Sequence, residues 1–418
     1  MKKIKNIIQY IFIANIFFNL SPLLNAQDRH KPKPPETPNQ KQYSIEQATS
    51  ERAQLHTIAF NGLAFLTGSF GADCFFPPGK VADYFGFQYM RDIDKNEMGH
   101  NTDFLTRIAN NFIHILNDNQ LDQLKELANK QAPVYDEFAN QRMILIKAFC
   151  NELEGQIPSG KKELSKENVI KFCAKIYELD AELSYNRALV VGHIINSFSE
   201  LQKKDIAKLN FDNSSTWSDL PETIDKKSMT HRAHVCVMTY ASELFSWYAG
   251  SVKADVYFCP ERHGTYFGGF YLKDFPAMGN HNYKISTKLT GDKGNDFLNI
   301  LSNEQGDCLK QIVQTQEPLL KEIIQLRTDI SNELRKAMKN EIPDKEKIFS
   351  LIKRYGEIDG ELSYNYAICF TKISKTLTSE QKKKLIELRD LKVLPKGVYL
   401  FSDPIDIPEN INTGFLYR

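Results

Sequence analysis

Apolar residues recur three and four positions apart through most of this chain, as in Ile146, Phe149 and Leu153 or Ile323, Leu326 and Ile330. That spacing lines one face of a helix. It predicts helices at about 102–116, 118–154 and 166–197, and again at about 296–301, 303–339 and 345–376. Residues 51–67 and 231–249 are apolar and lack Pro, which predicts a buried first helix ahead of each set. The stretches 68–100 and 250–295 are rich in Gly, Pro and aromatic residues, so they are expected as long irregular loops on which function can sit. Pro133 and Pro318 fall inside long helical runs, and each is expected to break or kink its helix. The fold class expected is all-α or nearly so.

The pattern is also written twice. Gly68-Ser-Phe-Gly-Ala-Asp73 returns as Gly250-Ser-Val-Lys-Ala-Asp255, and Glu178-Leu-Asp-Ala-Glu-Leu-Ser-Tyr-Asn186 as Glu357-Ile-Asp-Gly-Glu-Leu-Ser-Tyr-Asn365. Matching positions keep an offset near 180, as expected for a tandem duplication of one helical unit packed about a pseudo-twofold. Unit one is expected over 44–212 and unit two over 228–392, with a loop-like linker at 213–227 that has little to bury. Residues 393–418, with Pro395, Pro404 and Pro408, read as an extended C-terminal tail. At the other end Lys2, Lys3 and Lys5 precede an apolar run from Ile7 to Leu24, the pattern of a signal peptide over 1–26. A Pro-rich leader follows at 27–43. The protein is therefore expected to be exported, periplasmic or secreted, with no membrane insertion after signal removal.

Four segments share one helix start: Leu116-Asn-Asp-Asn-Gln120, Phe198-Ser-Glu-Leu-Gln202, Leu301-Ser-Asn-Glu-Gln305 and Leu377-Thr-Ser-Glu-Gln381. In each, the side chain of Asn117, Ser199, Ser302 or Thr378 can cap the first helical N–H groups while the Gln reaches back to the cap residue. The segments resemble the LTxxQ motif of the periplasmic Spy and CpxP-like helical proteins, with Leu377-Thr-Ser-Glu-Gln381 matching it in full. The resemblance implies an exported, all-helical, ATP-independent chaperone-like or envelope-stress protein with unfolded extracytoplasmic clients. The segments read equally well as efficient helix caps.

Facing residues of an antiparallel helical hairpin keep a constant sum of residue numbers. Arg142 with Asp180 or Glu182, and Cys150 with Cys173, fall in one such register. An ion pair and a Cys150–Cys173 disulfide are therefore expected together, and Arg327 is expected with Asp359 and Glu361. Cys308 and Cys369 fall about ten residues out of that register, which argues against their pairing. The repeated Arg–carboxylate sets read as structural networks in preference to acid–base catalysts, because Asp180 and Glu182 lie two apart on a helix and point to different faces.

In the second loop Cys259-Pro-Glu-Arg-His263 is followed by Met278-Gly-Asn-His281. A thiolate, two imidazoles and a thioether suit copper or zinc, so a metal site is the alternative to a chaperone-like role. The loops share Asp73/Asp255, Tyr84/Tyr266, Tyr89/Tyr271 and Asp92/Asp274, read first as packing and turn residues and second as a groove for a ligand or extended peptide. With 53 basic and 52 acidic residues and no basic patch, nucleic acid is not expected as a partner. The seven cysteines admit disulfides in an exported protein and leave at least one thiol over. No Walker loop, dinucleotide fingerprint, HExxH or nucleophile elbow is present, so a non-enzymatic binding protein is the preferred reading.

Overall fold

The computed structural model describes residues 51–67, 81–82, 88–90, 103–209, 216–249, 293–389, 398–400, 403–406 and 408–418. The segments expected as signal peptide and Pro-rich leader lie outside them, as do most of both loops. The described chain is mainly α-helical. In chain order the helices are α1 (Glu51–Thr67), α2 (Asp103–Ile115), α3 (Asp118–Glu154), α4 (Lys166–Asn196), α5 (Glu200–Ile206) and α6 (His231–Ala249). They continue as α7 (Lys293–Ile300), α8 (Asn303–Leu334), α9 (Lys345–Thr376) and α10 (Ser379–Arg389). Their ends follow local chemistry: α3 starts at the Asn117 cap and stops at Gly155, whose φ of 72° leaves the helical region. Neither proline breaks its helix, since Pro133 lies within α3 and Pro318 within α8. An interior proline costs about 3 kcal/mol. Buried Leu127, Ala128, Tyr135 and Phe138 on either side of Pro133 offset that cost.

The two units do not pack as self-contained bundles. Helix α1, from unit one, packs on α7, α8, α9 and α10 of unit two. Gln316 Nε2 donates to Gln54 Oε1 at 2.8 Å, and the Phe65 and Phe370 ring centroids lie 5.8 Å apart. Helix α6, from unit two, packs on α2, α3 and α4 of unit one. There Phe198 and Tyr248 lie 5.7 Å apart, and Arg187 Nη1 meets Glu243 Oε1 at 2.7 Å. Residues 103–249 thus make one continuous bundle, while 293–389 make a second that the N-terminal helix completes.

The bundles meet along α4 and α9. These helices run antiparallel: Cys173 lies against Gly360, Tyr177 against Gly356 and Tyr355, and Gly192 against Ala337 in the 3₁₀ turn Arg335–Lys339 after α8. Added Cβ atoms would come within 2.7 Å of Tyr177 at position 356 and 2.9 Å of Cys173 at position 360, so glycine sets how closely the helices approach.

The linker, expected to have little to bury, and the C-terminal tail are both anchored. In the linker, Trp217 is buried against Phe112, and Asn110 and Asn111 of α2 donate to the backbone oxygens of Leu220 and Ser218. The chain end returns to unit one: Leu416 and Tyr417 are buried, Tyr417 Oη donates to Ala148 O at 2.6 Å, and Arg418 N donates to Glu163 O. Short strands β1 (Val81–Ala82), β2 (Gln88–Met90), β3 (Val398–Leu400) and β4 (Asp403–Ile405) form one antiparallel sheet in that order. It joins the first loop to the tail through Met90 and Leu400.

Gly192→Ala places a Cβ 2.6–2.7 Å from Ala337, backbone included, and is expected to lower stability by roughly 1–3 kcal/mol. Gly306→Ala, with nothing within 4 Å, is expected to raise it by about 0.5–1 kcal/mol. Denaturant melts of the two variants check the seam; a neutral Gly192→Ala would show that the close approach is not needed.

Candidate functional site

All four capping boxes form with both reciprocal bonds. Gln120 N donates to Asn117 Oδ1 at 2.9 Å and Asn117 N to Gln120 Oε1 at 3.0 Å, and the same pair of bonds joins Ser199 with Gln202, Ser302 with Gln305 and Thr378 with Gln381. The Gln amides also reach neighbouring helix ends. Gln202 Nε2 donates to Gln120 Oε1 (2.6 Å) and Ile115 O (2.8 Å), while Gln381 Nε2 donates to Gln305 Oε1 (2.9 Å) and Ile300 O (2.8 Å). Each glutamine so satisfies helix-terminal groups on two elements at once. The motif residues are spent on holding helix starts together.

Among the described residues, three knots of buried polar groups hold helices together. In the first bundle Gln131 Nε2 donates to Leu183 O at 2.9 Å, Tyr240 Oη donates to Gln131 Oε1 at 2.6 Å, and Tyr135 bonds Tyr240. The Arg187 guanidinium lies 4.9 Å from the Tyr240 ring centre and pairs with Glu243, both ions fully buried. In the second bundle Tyr366 Oη donates to Gln316 Oε1 at 2.7 Å, and Gln316 donates to Gln54. Burial, then the neighbouring Tyr135, push the Tyr240 hydroxyl well above its ordinary range, and burial raises Tyr366 likewise. Both phenols keep their protons at neutral pH and serve as hydrogen-bond donors.

The third knot joins the bundles. Arg142 Nη1 meets Asp359 Oδ2 at 2.8 Å, with side chains 4% and 1% exposed, and donates to Cys173 Sγ at 3.8 Å. Burial works against the Arg142 charge, but Asp359, Cys173 and Tyr177 together outweigh it and the guanidinium pKa is raised. The Cys173 thiol is pushed up to about 12 by burial, against the pull of Arg142, so it is not a nucleophile. Arg142 thus has a carboxylate partner on the other unit. Asp180 and Arg327 are buried, whereas Glu182 is exposed and Glu361 pairs with Lys166 at 2.8 Å near the surface.

The disulfide expectation is corrected. Cys308 and Cys369 are bonded, with Cα atoms 6.0 Å apart, while Cys150 and Cys173 are buried and not bonded to each other. The reason is register. Arg142 lies against Cys173, and Cys150 stands eight residues farther along α3, about 12 Å away at about 1.5 Å per residue. In the second bundle the register that brings Gln305 to Thr376 and Gln316 to Tyr366 also brings Cys308 to Cys369.

Cys259, His263, Met278 and His281 lie outside the described residues, as do Asp73, Tyr84, Asp92, Asp255, Tyr266, Tyr271 and Asp274. Tyr89 lies on β2. Among the described residues no group of three or more His, Cys, Asp or Glu is placed to hold a metal, and no helix is long and apolar enough to cross a membrane. A cleft of about 680 Å³ opens beside the second pair of capping boxes, lined by Glu304, Cys308, Lys372, Ile373 and the capping residues. Sequence reasoning missed it because it depends on three helix ends converging. The chain matches no protein-family model, no curated protein and no solved structure.

Arg142→Met removes an ion-pair partner from the buried Asp359 carboxylate and is expected to cost about 3–5 kcal/mol, with Arg142→Met/Asp359→Leu recovering part of it; equal losses in single and double variants would count against the pair. Glu333 supplies a pH dependence. Burial raises its pKa, but bonds from Lys336 (2.6 Å), the Asp344 N–H (2.9 Å) and Lys347 (3.0 Å) prevail and hold it down to about 2. A depressed carboxylate stabilises the fold fully above its ordinary value of 4.5, and that contribution is lost as pH falls from there toward about 2. Glu333→Gln is expected to lower the melting point at pH 7 and to flatten this acid limb, as read from melts between pH 2 and 7.

Proposed function

We propose that this chain is an exported, non-enzymatic helical binding protein, made by tandem duplication, that holds unfolded extracytoplasmic proteins without nucleotide. One observation carries the reading. Two of the exposed large apolar side chains among the described residues, Leu201 (68% exposed) and Ile386 (52%), sit on α5 and α10, the short helices that follow a capping box in each unit. A capped, bundle-stapled helix offering an apolar side chain to water is suited to weak contact with exposed apolar segments of a client. The buried ionisable groups described above are engaged between helices, which supports a scaffold over an acid–base centre. The resemblance of the capping boxes to the LTxxQ motif supports the same role, with the glutamines as structure and the flanking apolar residues as contact.

The test is aggregation suppression. Protein beginning at Gln27 is expected to keep an unfolding client soluble at near-equal molar amounts without nucleotide. Leu201→Ser/Ile386→Ser is expected to lose most of that effect with its melting point within about 1–2 °C of the parent. No suppression by the parent protein would end the proposal.

A further inference from the structure

The five cysteines among the described residues fall into two environments. Cys150, Cys173 and Cys236 are buried. The Cys308–Cys369 disulfide is different: Cys369 is only 3% exposed, but Cys308 is half-buried and lines the 680 Å³ cleft. The bond ties α8 to α9 close to where the Ser302–Gln305 and Thr378–Gln381 boxes meet. The matching positions of unit one are Gln123 and Val190, so only the second bundle carries the tie. Lys372, one turn beyond Cys369 on α9, lines the same cleft and places a positive charge at its mouth.

We propose that Cys308–Cys369 is a thiol-exchange site, open in the folded protein to small thiols and dithiols entering by the cleft. The incoming thiolate attacks Cys308 Sγ, the sulfur on the cleft side, and Cys369 leaves as thiolate and takes up a proton. The product is a mixed disulfide on Cys308. A dithiol then completes the exchange: its second thiolate attacks the reagent's own sulfur in the mixed disulfide, releasing the Cys308 thiol and the cyclic disulfide of the reagent. The protein gains two electrons and two protons, and the dithiol loses them. With the bond open, α8 and α9 remain held by Gln305 to Thr376 and Gln316 to Tyr366, so the reduced protein stays folded but less stable.

The experiment uses the full mature chain under native conditions. Dithiothreitol is added at several concentrations, samples are alkylated at intervals, and each cysteine is followed by peptide mass mapping. Buried Cys236 serves as the internal clock for unfolding. Labelling at Cys308 and Cys369 is expected to rise in proportion to reductant and to outrun Cys236 labelling by on the order of 100-fold or more. Glutathione in place of dithiothreitol is expected to leave its adduct on Cys308, and the reduced protein is expected to melt several degrees lower. Reduction that saturates with dithiothreitol at the rate of Cys236 labelling would overturn the proposal, because the bond would then be reached only by unfolding. A glutathione adduct confined to Cys369 would overturn it as well, since the cleft would not be the route of attack.

Discussion

Helices α4 and α9 lie so close that Gly356 and Gly360 leave no room for a methyl group, Gly192 does the same where α4 meets the 3₁₀ turn after α8, and the rest of the molecule is arranged around that seam. A glycine in a helix costs about 1 kcal/mol relative to alanine. Three of them at one interface are offset by backbone proximity and by the tight packing of neighbours such as Tyr177 against Tyr355, 5.1 Å apart edge to face. The seam also places Arg142 of one unit beside Asp359 of the other. A buried ion pair adds little net stability compared with an apolar pair of the same shape, but an unmatched charge there is costly. It therefore penalises any slip of α9 relative to α3.

Around the seam the chain closes on itself. The second bundle is completed by α1, more than 200 residues away in sequence, and the first is clamped by the chain end at Tyr417 and Arg418. Closure of this kind pays loop entropy that grows only slowly with length. In return, α1 is packed against four distant helices, and Leu416 and Tyr417 are buried against unit one. The bundles are then stiffened by different means: a disulfide between α8 and α9 in one, and a docked C-terminal strap in the other.

The helices were legible because their signals are local. Apolar spacing and the four capping boxes involve residues within four positions of one another, and α1, α3, α6 and α9 match the expected limits to the residue. Pro133 and Pro318 mark where local reasoning overreached: a proline weakens its own turn, but the packing on both sides decides whether the helix continues. The register of the hairpins was not legible. Arg142 was matched to carboxylates on the nearest helix, and the cysteines were aligned on that pairing, whereas the glutamine staples and the inter-bundle seam set the offset. The cleft beside Cys308 was invisible for the same reason.

By itself, then, the sequence determined the helical fold class, the helix limits, the four capped starts and the twofold repetition of its motifs, because each rests on the covalent spacing of a few neighbouring residues. Only the tertiary structure decided that α1 completes the second bundle, that Arg142 pairs across the seam and that Cys308 bonds Cys369. Those outcomes depend on which apolar faces bury most area together and on how near two backbones can come, quantities that belong to the packed chain and to no stretch of it alone.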